Sequence, residues 1–134
     1  MKYNGIVEAK LRIIEEKLSD IEDWNITSLA VLQGSSMLQN AVERALQVSI
    51  ESIIDAGERI LAIEKQPAGN TSSDVIYKLQ DLGIISKDPD YIAMIKFRNF
   101  IVHRYEKIDL EIIYATVKKK LPVFRKFIDE IRST

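Results

Sequence analysis

Apolar residues recur at intervals of three and four along almost the whole chain, which is the period of an amphipathic α-helix and not of a strand. Over residues 4–22 they are Ile6, Val7, Leu11, Ile13, Ile14, Leu18 and Ile21, with Glu and Lys between them. Residues 27–63 continue through Leu29, Leu32, Leu38, Val42, Ala45, Leu46, Ile50, Ile53, Ile54, Ile60 and Leu61 without a proline. This predicts one long second helix, kinked at Gly34, which at 1.5 Å per residue reaches about 50 Å. A helix longer than the domain is wide must project at its ends or pack against a second chain. Most of its polar residues Gln39, Asn40, Glu43, Arg44, Gln47, Ser49 and Ser52 are expected to face water.

Punctuation between the periodic stretches sets the helix ends. Asn25 or Thr27 is suited to cap the second helix, with Trp24 stapling the junction. Residues 66–74 are rich in turn formers, and Ser72 or Ser73 is placed to cap a short third helix. That short helix carries Val75, Ile76, Leu79 and Leu82 on one face and stops at Gly83, after which Ile84 and Ile85 dock into the core. Asp88, Pro89 and Asp90 supply a cap, a proline at the first helical position and an acidic first turn. The helix they open shows Ile92, Ile95, Phe97, Phe100, Ile101 and Val102 as apolar surface. Asp109 is set to cap the last helix, whose stripe runs from Leu110 to Ile131 and bends at Pro122. The prediction is an all-α antiparallel bundle of about five helices.

With 134 residues, the chain is read as a single domain over 1–134. Its 46% hydrophobic and 29% charged residues are an ordinary balance for a globular protein. No apolar run approaches the roughly 20 residues needed to span a bilayer, and residues 1–5 have no signal-peptide character, so no membrane partner and a cytoplasmic location are expected. Cysteine is absent and there is one histidine, which argues against disulfides and against a thiolate or histidine metal centre. No metal and no cofactor are expected. The net charge of −1 gives no global attraction to nucleic acid. Any such binding falls to local patches, of which Lys96, Arg98, His103, Arg104 and Lys107 form one and Lys118, Lys119, Lys120, Arg125 and Lys126 another. Clusters of this kind also occur as solvated helix ends that complement the helix dipole.

The chemistry centres on residues 98–105, where Arg98, Asn99, the single His103 and Tyr105 stand together. Histidine exchanges protons near neutral pH, and arginine keeps its charge and fits a phosphate with a planar fork of donors. On a regular helix Arg98 and His103 lie about 140° apart, whereas Asn99 and His103 share a face. One straight helix cannot aim Arg98 and His103 at a single atom. Either the helix ends near His103 or a second copy supplies the missing side. A structural role is also open to these residues: Arg98 pairing with Asp or Glu, Asn99 and His103 bonding carbonyls at the helix end, and Tyr105 closing the core.

Arg98, four residues, His103, one residue and Tyr105 together resemble the R-x4-6-H-x-Y signature of HEPN-domain proteins, and most of all the HepT-like toxins. The segment from Gln39 to Gln47, the Asp55, Ala56, Gly57 run, the turn from Leu79 to Ile85 and the Leu121, Pro122 pair are similar to the same branch. The resemblance implies a HEPN-like dimer, or a multiple of dimers. It also implies a metal-independent endoribonuclease in which Arg98 and His103 cleave RNA in a cleft between protomers, leaving 2',3'-cyclic phosphate ends. Asn99 is a supporting residue, Lys96 and Arg104 are candidate RNA contacts, and Arg44 and Gln47 are candidate supports of the pocket. For Tyr105 the resemblance implies an acceptor of AMP groups added by a partner nucleotidyltransferase antitoxin. The alternatives are a catalytically inactive HEPN module that binds such a nucleotidyltransferase, and a plain dimeric helical adaptor.

Overall fold

The computed structural model describes residues 2–102 and 109–134. Among these it contains seven helices and no strand: α1 (Ile6–Asp23), α2 (Leu29–Gln33), α3 (Ser36–Ile63), α4 (Ser72–Asp81), α5 (Pro89–Val102), α6 (Leu110–Lys119) and α7 (Leu121–Arg132). The all-α class is as expected, and the two additional helices come from two breaks in expected continuous ones. Gly34 does more than kink the second helix. Ser35 leaves helical geometry and its hydroxyl accepts from the Leu38 amide at 3.1 Å, so it caps a new helix. The Gln39 side-chain amide reaches back to the Leu32 and Gln33 carbonyls at 3.0 and 3.3 Å and satisfies the free end of α2. The cap of α2 is Ser28, which accepts from Val31, and not Asn25 or Thr27. The second break falls at Lys120, with Pro122 in the first turn of α7, where its missing amide costs no helical bond.

The remaining α3 has 28 residues and is about 42 Å long. It forms the spine: α1 lies along it, and α4 and α5 pack on its other sides. Val42, Leu46, Ile50, Ile53, Ile60 and Leu61 are buried along it, in one core with Val7, Leu11, Ile14 and Leu18 of α1. Ser49 and Ser52 are buried here as well, against expectation. Ser49 satisfies its hydroxyl on the Ala45 carbonyl at 2.8 Å, so burial costs it little.

The closing helix α7 places Phe124, Phe127, Ile128 and Ile131 in the core. Phe127 meets the buried ring of Tyr91 edge-on at 6.1 Å. Its far end is tied to α1 by Arg132, whose guanidinium bonds Glu15 at 2.7 and 2.9 Å and Glu8 at 2.7 Å. Beside it the Lys2 amide bonds the Thr134 carbonyl at 3.1 Å, joining the two ends of the chain. No helix among the described residues is long and apolar enough to cross a membrane.

Candidate active site

The start of α5 is built as its sequence dictates. Asp88 accepts from the Asp90 amide at 2.9 Å, and the buried Gln80 of α4 holds the connection by donating to the Ser86 and Asp88 carbonyls at 3.1 and 3.3 Å. From that anchor Tyr91, Met94, Ile95 and Ile101 turn into the core. Arg98 lies on this same inward stripe, one turn beyond Met94 and Ile95. Its opposite side carries Lys96 and Phe100, both exposed, and Phe97 is half-buried. Phe100, expected as part of the helix's apolar surface, is 44% exposed, because the inward arc at that level is taken by Arg98 and Ile101.

The guanidinium of Arg98 enters a cavity of about 270 Å³ lined by Glu51, Ile54 and Asp55 of α3 and Ser72 of α4. Its Nη2 donates to the Ser72 hydroxyl at 2.7 Å. Its Nε is buried and finds no acceptor among the described residues. Neither carboxylate of the cavity forms an ion pair with it. Each is engaged elsewhere: Glu51 accepts from Gln47 at 3.1 Å, and Asp55 pairs with Lys10 at 3.3 Å. The structural role in which Arg98 is consumed by an Asp or Glu is therefore not realised among the described residues. Its charge is left directed at the cavity.

Two local features bring Ser72 to this point. At Gly57 an added Cβ would lie 2.7 Å from Val75 Cγ1 and 3.0 Å from Leu79 Cδ1, so only glycine lets α4 lie this close to α3. The N-terminus of α4 is held by Thr71, not by Ser72 or Ser73. The Thr71 hydroxyl accepts from the Asp74 amide at 3.2 Å, while Asp74 accepts from the Thr71 and Asn70 amides at 3.1 and 2.9 Å. Those backbone donors hold the Asp74 carboxyl below its ordinary pKa. With the cap shifted one residue earlier, the Ser72 hydroxyl is free to receive Arg98 from 26 residues away. Sequence reasoning placed Ser72 at the helix start but had no signal for its partner, since adjacent Thr71, Ser72 and Ser73 all suit a cap.

The other predicted site residues are dispersed. Asn99 is exposed on α5, Arg44 is exposed on α3, and Gln47 reaches the cavity wall through Glu51. His103, Arg104, Tyr105 and Lys107 lie outside the described residues. The second basic cluster is largely neutralised within the chain. Lys120 pairs with Asp90 at 3.1 Å, Lys126 with Asp88 at 2.9 Å, and Arg125 with Glu22. Lys118 sits over the Tyr114 ring at 5.9 Å.

The "Ribonuclease HepT-like" family model matches residues 14–131. Among named relatives, the chain is 25% identical over 132 residues to the tRNA nuclease HepT of Aphanizomenon flos-aquae, covering 96% of this chain and 88% of that one. It is 29% identical over 98 residues to the mRNA nuclease HepT of Shewanella oneidensis, covering 72% and 74%. The fold matches the tri-AMPylated HEPN toxin of Shewanella oneidensis, solved in complex with MNT antitoxin, with a TM-score of 0.88 at 24% identity over 98% of this chain and all of that one. A helical bundle that turns an arginine of its R-x4-H-x-Y motif inward, matched along nearly its whole length by that family's pattern, belongs to the HepT-like ribonucleases.

Proposed function

We propose that this chain, acting as one domain in the cytoplasm, is the metal-independent endoribonuclease toxin of a toxin–antitoxin pair, with Arg98 and His103 as its catalytic residues. The observation that carries the reading is the charge of Arg98: set on the buried face of α5, unclaimed by any described carboxylate, and open to a cavity at the surface. A guanidinium so held binds a phosphodiester and offsets charge that builds on its oxygens in the transition state. His103 supplies the proton transfers. It takes the proton of a ribose 2'-hydroxyl as O2' attacks phosphorus, and imidazolium returns a proton to the departing O5' as the P–O5' bond breaks. The products are a 2',3'-cyclic phosphate and a 5'-hydroxyl. Asn99 helps orient the phosphate, and Lys96 and Arg104 meet the RNA backbone.

Regulation by a nucleotidyltransferase antitoxin is part of the proposal, with Tyr105 as AMP acceptor. The tri-AMPylated state named for the Shewanella toxin supports it. Added phosphodiester charge two residues from His103 repels RNA from the site. A homodimer is supported by Phe100, which leaves apolar surface on the outward side of the helix that carries Arg98.

The test compares wild type, His103→Ala and Arg98→Ala on mixed RNA in excess EDTA, with product ends identified by mass spectrometry and folding checked by circular dichroism. Cyclic phosphate ends from the wild type alone are the expected result. A folded wild type, free of AMP by mass, that leaves RNA intact overturns the reading in favour of a HEPN binding module.

A further inference from the structure

We propose that Ser72 is a positioning residue for Arg98, and that the capped start of α4 is a working part of the site although it lies outside the R-x4-H-x-Y motif. This role for Ser72 rests on the nuclease reading. Arginine has three rotatable bonds beyond Cβ, and a guanidinium acting on a phosphate must present two donors in one plane. Inside its cavity the Arg98 fork has a single hydrogen bond among the described residues, from Nη2 to Ser72 Oγ at 2.7 Å. The cavity's carboxylates, which would otherwise draw it toward α3, are held by Gln47 and Lys10. Among the described residues, the plane of the fork is therefore set by one hydroxyl.

The hydroxyl itself is rigidly placed. Ser72 is the first residue of α4, and that end is fixed by the reciprocal bonds of Thr71 and Asp74 and by the close seat of α4 on Gly57. Serine accepts from Nη2 without consuming its own hydrogen, so it orients the cation without neutralising it. A carboxylate in its place would lock the fork and cancel the charge that the phosphate needs. Neutral acceptance is the property that suits Ser72 to the role.

The experiment measures kcat and KM separately for wild type, Ser72→Ala, Ser72→Thr and the neighbouring control Ser73→Ala on one RNA oligonucleotide, alongside thermal melts. Arg98 side-chain NMR reports rotation about the guanidinium bonds in the same samples. For Ser72→Ala we expect kcat to fall roughly 10- to 100-fold with KM within about threefold, an unchanged melt and faster guanidinium rotation. Ser72→Thr keeps the hydroxyl and restores most of the rate, and Ser73→Ala cuts as wild type does. If Ser72→Ala retains wild-type kcat on a wild type that cuts RNA, the positioning role is overturned and the nuclease stands. Loss in Ser72→Ala with a lowered melt and no rescue by Ser72→Thr also overturns it, marking a structural residue. A wild type that does not cut RNA overturns the nuclease reading and this inference together.

Discussion

Arg98 and Arg132 are the same side chain in opposite circumstances. Arg132 spends its fork on Glu15 and Glu8, joins α7 to α1 across the bundle, and those carboxylates raise its pKa further above its already high value. Arg98 has one neutral partner and a buried Nε without an acceptor among the described residues. A buried donor left unpaired costs about 1–3 kcal/mol. Among the described residues that cost falls at the cavity and not at the seam. The difference teaches which cation stabilises the molecule and which is kept available to act on something else.

Exchanging the two arginines for neutral residues gives the largest contrast. Arg98→Ala is expected to lower RNA cleavage by at least about 100-fold while the melting temperature stays within about 2 °C, as an oxyanion-type donor is lost from a site with little binding of its own. Arg132→Met does the reverse. It removes charge-assisted bonds that solvent partly screens, costs about 1–2 kcal/mol, and lowers the melt by about 3–6 °C with kcat unchanged. Parallel melts and initial rates decide, and a melt that falls more for Arg98→Ala than for Arg132→Met would reverse the assignment.

Gly57→Val strikes at the link between the two regions. Its branched side chain meets Val75 and Leu79 and is expected to cost about 1–3 kcal/mol in urea unfolding. Because α4 must move off α3, cleavage also falls in the fraction that remains folded, which Arg132→Met at equal stability does not reproduce.

Acid sharpens the comparison further. Backbone donors lower the pKa of Asp74 and Asp88, and the Arg132 guanidinium lowers that of Glu15. A carboxyl whose folded pKa is depressed contributes stability above its ordinary value and loses it as pH falls through the folded one. The melt should therefore be level near neutrality and decline below about pH 4. Asp74→Asn and Glu15→Gln should each flatten that decline, while Arg98→Ala, which breaks no ion pair among the described residues, leaves its slope as in wild type.

The smallest effect concerns RNA contacts. Lys96→Ala, on the exposed side of α5, should raise KM about two- to threefold and reduce the salt dependence of binding by about one unit. Arg125→Ala, whose charge is already matched by Glu22, should change neither. Equal salt slopes for the two variants in fluorescence titrations would remove Lys96 from the interface.

The residues read most accurately from sequence were those whose signal is local. Asp88 and Asp109 cap their helices, Gly83 adopts a φ of 72°, and Pro89 opens α5, because each depends on neighbours within a few positions. The reading went astray where local choices were equivalent. Thr71, Ser72 and Ser73 all suit a cap; Thr71 takes it through its reciprocal bonds with Asp74, and Ser72, the first residue of α4, is left to meet Arg98. The same ambiguity joined α2 to α3, since a helical period continues through a glycine that Ser35 turns into a new start.

Hydrophobic spacing and turn residues by themselves determined the helical class and most helix boundaries, and the motif spacing of Arg98, His103 and Tyr105 carried the family resemblance, since each is a property of residues close in the chain. Tertiary structure alone decided that Arg98 faces inward, that Ser72 meets it, and that Lys120, Arg125 and Lys126 are matched by acids while Arg98, among the described residues, is not. Whether a charge is neutralised depends on what the fold brings within a few ångströms, and periodicity along the chain carries no record of that distance.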